Sequence, residues 1–316
     1  MTNIKLLIQH IILVSCLLTT GILVSAQADA FDTKVSDKSH LVSAQWLADH
    51  INDKNLIILD TSVIVKMDEK GGIESISGRS IYEQGHIPNA QYADLIEHLS
   101  DTKSSMTFVM PTAEQFQIEM GKLGVGKDTK VILYSANHHA WPTRLWWMLR
   151  WAGFDNAAIL DGGLTAWKAN GGAISTEAVQ AITKDFPLNV RPHLIADQQE
   201  VRKAIKDSNT FLIDSLSEGH YTGKFSLYQR PGHIPSATNM SSSTLINETG
   251  HYKSFDELDM MHEGNRTKRS ITYCGGGVAA TSVAFTMLRL GYTDVAVYMG
   301  SLQEWTADPE NPMTVD

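Results

Sequence analysis

Cys274 ends the run Ser270-Ile271-Thr272-Tyr273-Cys274 and is followed by Gly275-Gly276-Gly277, after which a helical pattern starts at Val278 or Ala279. A thiol in that place can act as a nucleophile. Glycines accept positive φ, so successive backbone N–H groups can turn to one side and form an anion-binding nest. The helix that follows adds the positive end of its dipole. Both effects favour the thiolate, which is the nucleophilic form of cysteine. The chain's other cysteine, Cys16, lies in an amino-terminal apolar run. A lone thiol in the rest of the chain is either buried and inert or kept for its reactivity. The strand, triple glycine and helix around Cys274 select the second reading. Phosphoryl chemistry would need an Arg six residues after the cysteine to clamp phosphate oxygens, and that position is Ala280.

Other reactive side chains read more plainly. Asp60 and Asp214 each end an apolar run and are expected to accept backbone hydrogen bonds as structural carboxylates. His86 and His233 sit in Gly-His-Ile-Pro turns. His138 and His139 are adjacent, so their side chains diverge, and no Cys or carboxylate joins them at ligand spacing, which favours a crevice role over a metal site. Trp141, Trp146, Trp147 and Trp151 recur at helical spacing and are expected to pack in the core and between domains.

The elements that must position Cys274 occur twice. Leu56-Ile57-Ile58-Leu59-Asp60 is answered by Phe211-Leu212-Ile213-Asp214. Gly85-His86-Ile87-Pro88-Asn89-Ala90 is answered by Gly232-His233-Ile234-Pro235-Ser236-Ala237, and Val131-Ile132-Leu133-Tyr134-Ser135 by the run that ends at Cys274. Helical patterns over 145–153 and 283–291 then end in glycine. Short β-rich runs follow at 157–160 and 295–298, and residues 162–167 pair with 300–305. Strands alternating with helices predict βαβ units and a parallel sheet covered on both faces.

The net charge of −9 argues against nucleic acid as a partner, since Arg266-Thr267-Lys268-Arg269 is the one short basic cluster. At the amino terminus, Lys5, the apolar stretch 11–24 and Ala28-Asp29-Ala30 read as a signal peptide over residues 1–30, which predicts a periplasmic or secreted protein with no stable membrane insertion after processing. Leu13-Val14-Ser15-Cys16 also suggests a lipoprotein anchor, but apolar residues continue past Cys16, late for a lipidation site.

The tandem repeat, the two Gly-His-Ile-Pro turns and Cys274-Gly275-Gly276-Gly277-Val278 after a Thr-Tyr strand resemble the rhodanese, or thiosulfate/mercaptopyruvate sulfurtransferase, family over nearly all of the chain past the signal. The resemblance implies an α/β fold of two tandem rhodanese-like domains, each a mainly parallel sheet flanked by helices. An inactive copy would span 38–175, a linker 176–192 and a catalytic copy 193–316. In the family the amino-terminal copy has lost its cysteine, and here Ser135 followed by Ala136-Asn137-His138-His139 stands in its place.

By the same resemblance Cys274 takes sulfane sulfur from thiosulfate as a persulfide and passes it to cyanide or a thiol. The amides of Gly275, Gly276, Gly277, Val278 and Ala279 would hold the anion, with no metal or cofactor. The two domains themselves are expected to bury an apolar interface between them and act as a monomer. Mercaptopyruvate as donor, or a non-catalytic persulfide carrier, are the alternatives. The loop lacks both the basic residues that follow the cysteine in thiosulfate-specific relatives and the Cys-Gly-Ser-Gly-Val-Thr of mercaptopyruvate-specific ones. Where relatives hold the donor with an Arg, this chain has His220. Arg230 is then the remaining cation expected to anchor a sulfonate or carboxylate, with Lys224 behind it.

Overall fold

The computed structural model describes residues 40–67, 73–262 and 264–315. Residues 1–30, read above as an export signal, and with them Cys16, lie outside the described residues. The first copy runs β1 (Leu41–Val42), α1 (Ala44–His50), β2 (Leu56–Asp60), a hairpin of β3 (Val63–Met67) and β4 (Ile73–Ser77), α2 (Arg79–Gln84), β5 (Ala90–Tyr92), α3 (Ala113–Lys122), β6 (Lys130–Tyr134), α4 (Ala140–Trp151), β7 (Ala157–Leu160) and α5 (Gly163–Ala169). The second runs β8 (Ile195–Ala196), α6 (Gln198–Ala204), β9 (Thr210–Asp214), α7 (Glu218–Tyr221), β10 (Thr238–Asn239), α8 (Phe255–Met261), β11 (Arg269–Tyr273), α9 (Ala279–Arg289), β12 (Val295–Tyr298) and α10 (Ser301–Trp305).

Each copy builds a five-stranded sheet, in the orders β1-β7-β6-β2-β5 and β10-β9-β11-β12-β8, and every pairing in them is parallel. Strands buried on both faces read as continuous apolar runs, which is what Leu56-Ile57-Ile58-Leu59 is. Alternate side chains go to opposite faces. Ile57 and Leu59 join Phe116, Met120 and Leu145 on one side, whereas Ile58 joins Leu47, Leu164 and Trp167 on the other. The first helix of each copy starts on a side-chain cap, Ser43 accepting from the Trp46 N–H and Asp197 from the Glu200 N–H. The β3–β4 hairpin is antiparallel and has no counterpart among the described residues of the second copy.

The copies share one core. Trp146 on α4 meets Phe285 on α9 edge-on at 4.9 Å, and the Thr143 hydroxyl lies 3.0 Å from those of both Thr281 and Ser282. Trp141, Trp146 and Trp147 are buried and Trp151 packs against them, as their spacing predicts. The polar segment between the copies forms no helix or strand but is strapped to the first. His86 and Ser175 exchange backbone hydrogen bonds, the Lys184, Asn189 and Arg191 amides donate to the Gly121, Ala152 and Trp151 carbonyls, and Phe186 is buried. Among the described residues no helix is long and apolar enough to cross a membrane.

Candidate active site

Cys274 lies one residue past β11, the strand held between β9 and β12. Its N–H donates to Ser301 Oγ at 3.1 Å, and its carbonyl accepts the Leu302 N–H at 3.0 Å. The Gly275 carbonyl accepts the Gln303 N–H at 2.9 Å, and the Gly277 carbonyl accepts from Arg144 Nη1 at 3.1 Å. These bonds turn the loop's carbonyls outward to α10 and α4. The amides of Gly275, Gly276, Gly277, Val278 and Ala279 meet no hydrogen-bond partner among the described residues. Donors left open beside a sulfur, at the start of the eleven-residue helix α9, form a site for an anion.

Gly277 is required by its conformation and by space, and Gly275 leaves room for the Tyr228 hydroxyl. Gly277 has φ +74°, and a Cβ there would come 2.5 Å from the Met299 carbonyl oxygen. A Cβ on Gly275 would come 1.5 Å from the Tyr228 hydroxyl, which lies over the loop. Cys274 itself is only 2% exposed. The open amides and a nearby positive charge are what this site offers an anionic sulfur. Arg144 supplies such a charge. Its head reaches the Gly277 carbonyl, the Phe108 carbonyl at 2.5 Å and the Met299 and Met110 sulfurs.

In the first copy four of the five corresponding amides are consumed, and His138, at the place of Gly277, lacks its positive φ. Ser135 Oγ accepts the Asn137 and His138 amides at 3.2 and 3.3 Å, Ser62 Oγ accepts the Ala136 amide at 2.9 Å, and His138 Nδ1 accepts the Ala140 amide at 3.1 Å. The site is closed by its own side chains. His138 and His139 do not diverge as their adjacency predicts: their rings stack at 4.6 Å beside this loop, and both line its crevice with Gly162 and Gly163.

Asp60 and Asp214 are structural, as expected. Each Oδ1 accepts the amide two residues on, from Ser62 and Leu216, at 2.8 Å. Burial raises both carboxyls above the usual range, Asp214 to about 6. His86 and His233 stack on Tyr82 and Tyr221 and bond those residues' carbonyls through Nδ1.

Arg230 departs from its expected role. Its guanidinium donates to four backbone carbonyls, those of Thr306, Asn311, Trp305 and Asp308, so its fork clamps the carboxy-terminal segment and is not open to a ligand. A guanidinium suits a cluster of carbonyls as well as a carboxylate. His220 lies on α7, its Nδ1 2.7 Å from Ser217 Oγ and its ring edge-on to Phe225. Burial lowers its pKa, so at neutral pH it is uncharged and cannot replace an Arg as a cation. Lys224 is exposed and stacks over Phe225 at 5.5 Å.

Four residues at the site escape notice in the sequence. Ser301 holds the Cys274 amide and, with φ +51°, donates its hydroxyl to the Tyr298 carbonyl. Gln303 bridges to the first copy, accepting the Thr107 amide at 3.2 Å and donating to its carbonyl at 2.8 Å. Tyr228 is half-buried with its hydroxyl over Gly275; loss of solvation raises its pKa, and the neighbouring charge of Cys274 adds to the rise. Arg144 is the fourth, and its signal was a charge in the midst of the tryptophan helix.

The rhodanese-like domain profile matches residues 43–170 and 197–308. The chain is 32% identical over 278 residues to the 3-mercaptopyruvate sulfurtransferase of Escherichia coli (strain K12), covering 86% of this chain and 96% of that one. It is 30% identical over 286 residues to the thiosulfate sulfurtransferase of Gallus gallus, covering 87% and 96%. The crystal structure of SseA from Escherichia coli, a 3-mercaptopyruvate sulfotransferase, superposes with a TM-score of 0.74 at 30% identity over 83% of this chain and 98% of that one.

Proposed function

The chain belongs to the rhodanese family, and on that premise we propose that it is a sulfurtransferase that moves sulfane sulfur from thiosulfate to cyanide or a thiol through a persulfide on Cys274. The Cys274 thiolate attacks the outer sulfur of thiosulfate. The donor's S–S bond breaks, and sulfite leaves with the electron pair. Cyanide or a thiolate then attacks the outer sulfur of the persulfide, the new S–S bond breaks, and the Cys274 thiolate returns. In both steps negative charge stays close to Cys274, where fixed amide dipoles stabilise it without reorganising. The observation that carries this reading is the set of unpartnered amides from Gly275 to Ala279, set against their consumed counterparts after Ser135.

Mercaptopyruvate is the second donor to weigh, favoured by the relatives that carry its name. With it the C–S bond breaks, and pyruvate leaves after its enolate takes up a proton. In this reading the second copy, 193–316, holds the chemistry and the first, 38–175, supports it. The work is done by a monomer exported to the periplasm or beyond after loss of residues 1–30.

Steady-state sulfur transfer to cyanide, with thiosulfate and 3-mercaptopyruvate compared, tests the activity on the wild-type chain and on Cys274→Ala. Turnover that disappears in the variant supports it, and the better donor fixes the substrate. A wild-type protein that turns over neither donor would sink the reading.

A further inference from the structure

We propose that Arg144, carried by the first copy, is a positioning residue for Cys274, serving as the buried countercharge of the anionic sulfur and holding the loop so that its amides face that sulfur. This rests on the reading of Cys274 as the nucleophile.

Arg144 is 1% exposed in the middle of α4. A charged group so placed is ordinarily paired with an anion. Among the described residues no carboxylate pairs with it; the arginines in ion pairs are Arg150, Arg191, Arg202, Arg266 and Arg269. Its four acceptors are two backbone carbonyls and two thioether sulfurs, all neutral, and thioethers are weak acceptors. One acidic group remains within electrostatic reach, the thiol of Cys274, which opposes the loss of solvation that pushes the guanidinium down to about 10. The group is therefore still a cation at neutral pH. The desolvation it suffers is offset when the sulfur is an anion, so the charge and the thiolate or persulfide favour each other.

The geometry gives the charge a second effect. Arg144 Nη1 holds the Gly277 carbonyl outward at the residue with positive φ, and a Cβ on that glycine would come 3.1 Å from the same nitrogen. The next-door Thr143 fixes α4 to α9 through Thr281 and Ser282, and on the other side Thr107 of the first copy bonds the side chain of Gln303, whose N–H holds the Gly275 carbonyl. The copy whose own donors are consumed thus supplies the cation that the second copy's loop lacks.

The test follows iodoacetamide alkylation of Cys274 against pH, read on the Cys274 peptide by mass spectrometry in the full chain. It needs no sulfur donor, so its failure is separate from failure of the transfer assay. Arg144→Gln, folded by circular dichroism, should alkylate about tenfold more slowly at neutral pH and move the profile to higher pH, one pH unit being tenfold in thiolate. Arg144→Lys, which keeps the charge, should stay within about threefold of wild type on that scale. A folded Arg144→Gln with the wild-type profile overturns the proposal, as does an equal shift in both variants. Should Arg144→Gln not fold, Arg144→Lys decides, a wild-type profile supporting the charge and a tenfold loss refuting it. If neither folds, wild-type alkylation that develops only at or above the ordinary thiol range near ~8.5 refutes it, and development below that range supports it.

Discussion

Ser62 and Leu216 occupy the same place in the two copies, each with its amide 2.8 Å from the carboxylate two residues earlier. Ser62 turns its hydroxyl onto the Ala136 amide, while Leu216 has none to offer and the Gly275 amide stays open. One hydroxyl thus helps close the first copy's site, and its absence helps open the second. Leu216→Ser should cap the Gly275 amide. Sulfur transfer is expected to fall roughly a hundredfold, the lower end for losing one preorganised donor, with the melting temperature little changed. Wild-type kcat/KM in a folded Leu216→Ser protein would speak against the open amides as the source of catalysis.

The same logic applies to the first copy. Placing a thiol there with Ser135→Cys, in a chain that also carries Cys274→Ala, should yield no sulfur transfer. Ser62 Oγ and His138 Nδ1 still hold two of the amides, and no triple glycine follows. Measurable turnover with cyanide as acceptor would show that the cysteine, not its surroundings, limits that copy.

Arg230 is expected to matter for stability more than for the donor. Arg230→Met leaves the carbonyls of Thr306, Asn311, Trp305 and Asp308 without their shared donor, a loss of roughly 1–3 kcal/mol in denaturant unfolding. The KM for thiosulfate should change little. A large rise in KM with unchanged stability would restore Arg230 as an anion anchor.

Asp214 makes stability depend on pH with a definite sign. Its carboxyl titrates near 3.8 unfolded and is raised to about 6 when folded. Between those values the unfolded chain has released the proton and the folded one keeps it, so stability is full below about 4, falls as pH rises, and levels off above about 6. Asp214→Asn removes this slope. Wild type should lose stability relative to the variant by roughly 2–3 kcal/mol from pH 4 to 7. Parallel stability curves for the two proteins would contradict the buried, protonated carboxyl.

The sheets and the reactive loop are legible because their signals are local. Leu56-Ile57-Ile58-Leu59-Asp60 and its partner carry the period of buried strands, and Cys274-Gly275-Gly276-Gly277 states its chemistry within four residues. What cannot be read is whatever the packing of α4 on α9 brings together. Arg144 lies 133 residues from the Gly277 carbonyl that it holds, and Thr107 lies 196 from Gln303. Arg230 misleads for a different reason, since its residue type fits a sulfonate and a nest of carbonyls equally well. The β3–β4 hairpin interrupts the repeat where the second copy offers no matching anchor.

The central claim is tested most directly by the mass of the Cys274 peptide after the protein meets thiosulfate without an acceptor. The account predicts a peptide heavier by one sulfur atom, released by cyanide in a single turnover as thiocyanate. A Cys274 peptide of unchanged mass from a protein that still transfers sulfur, or transfer that survives in Cys274→Ala, would contradict it.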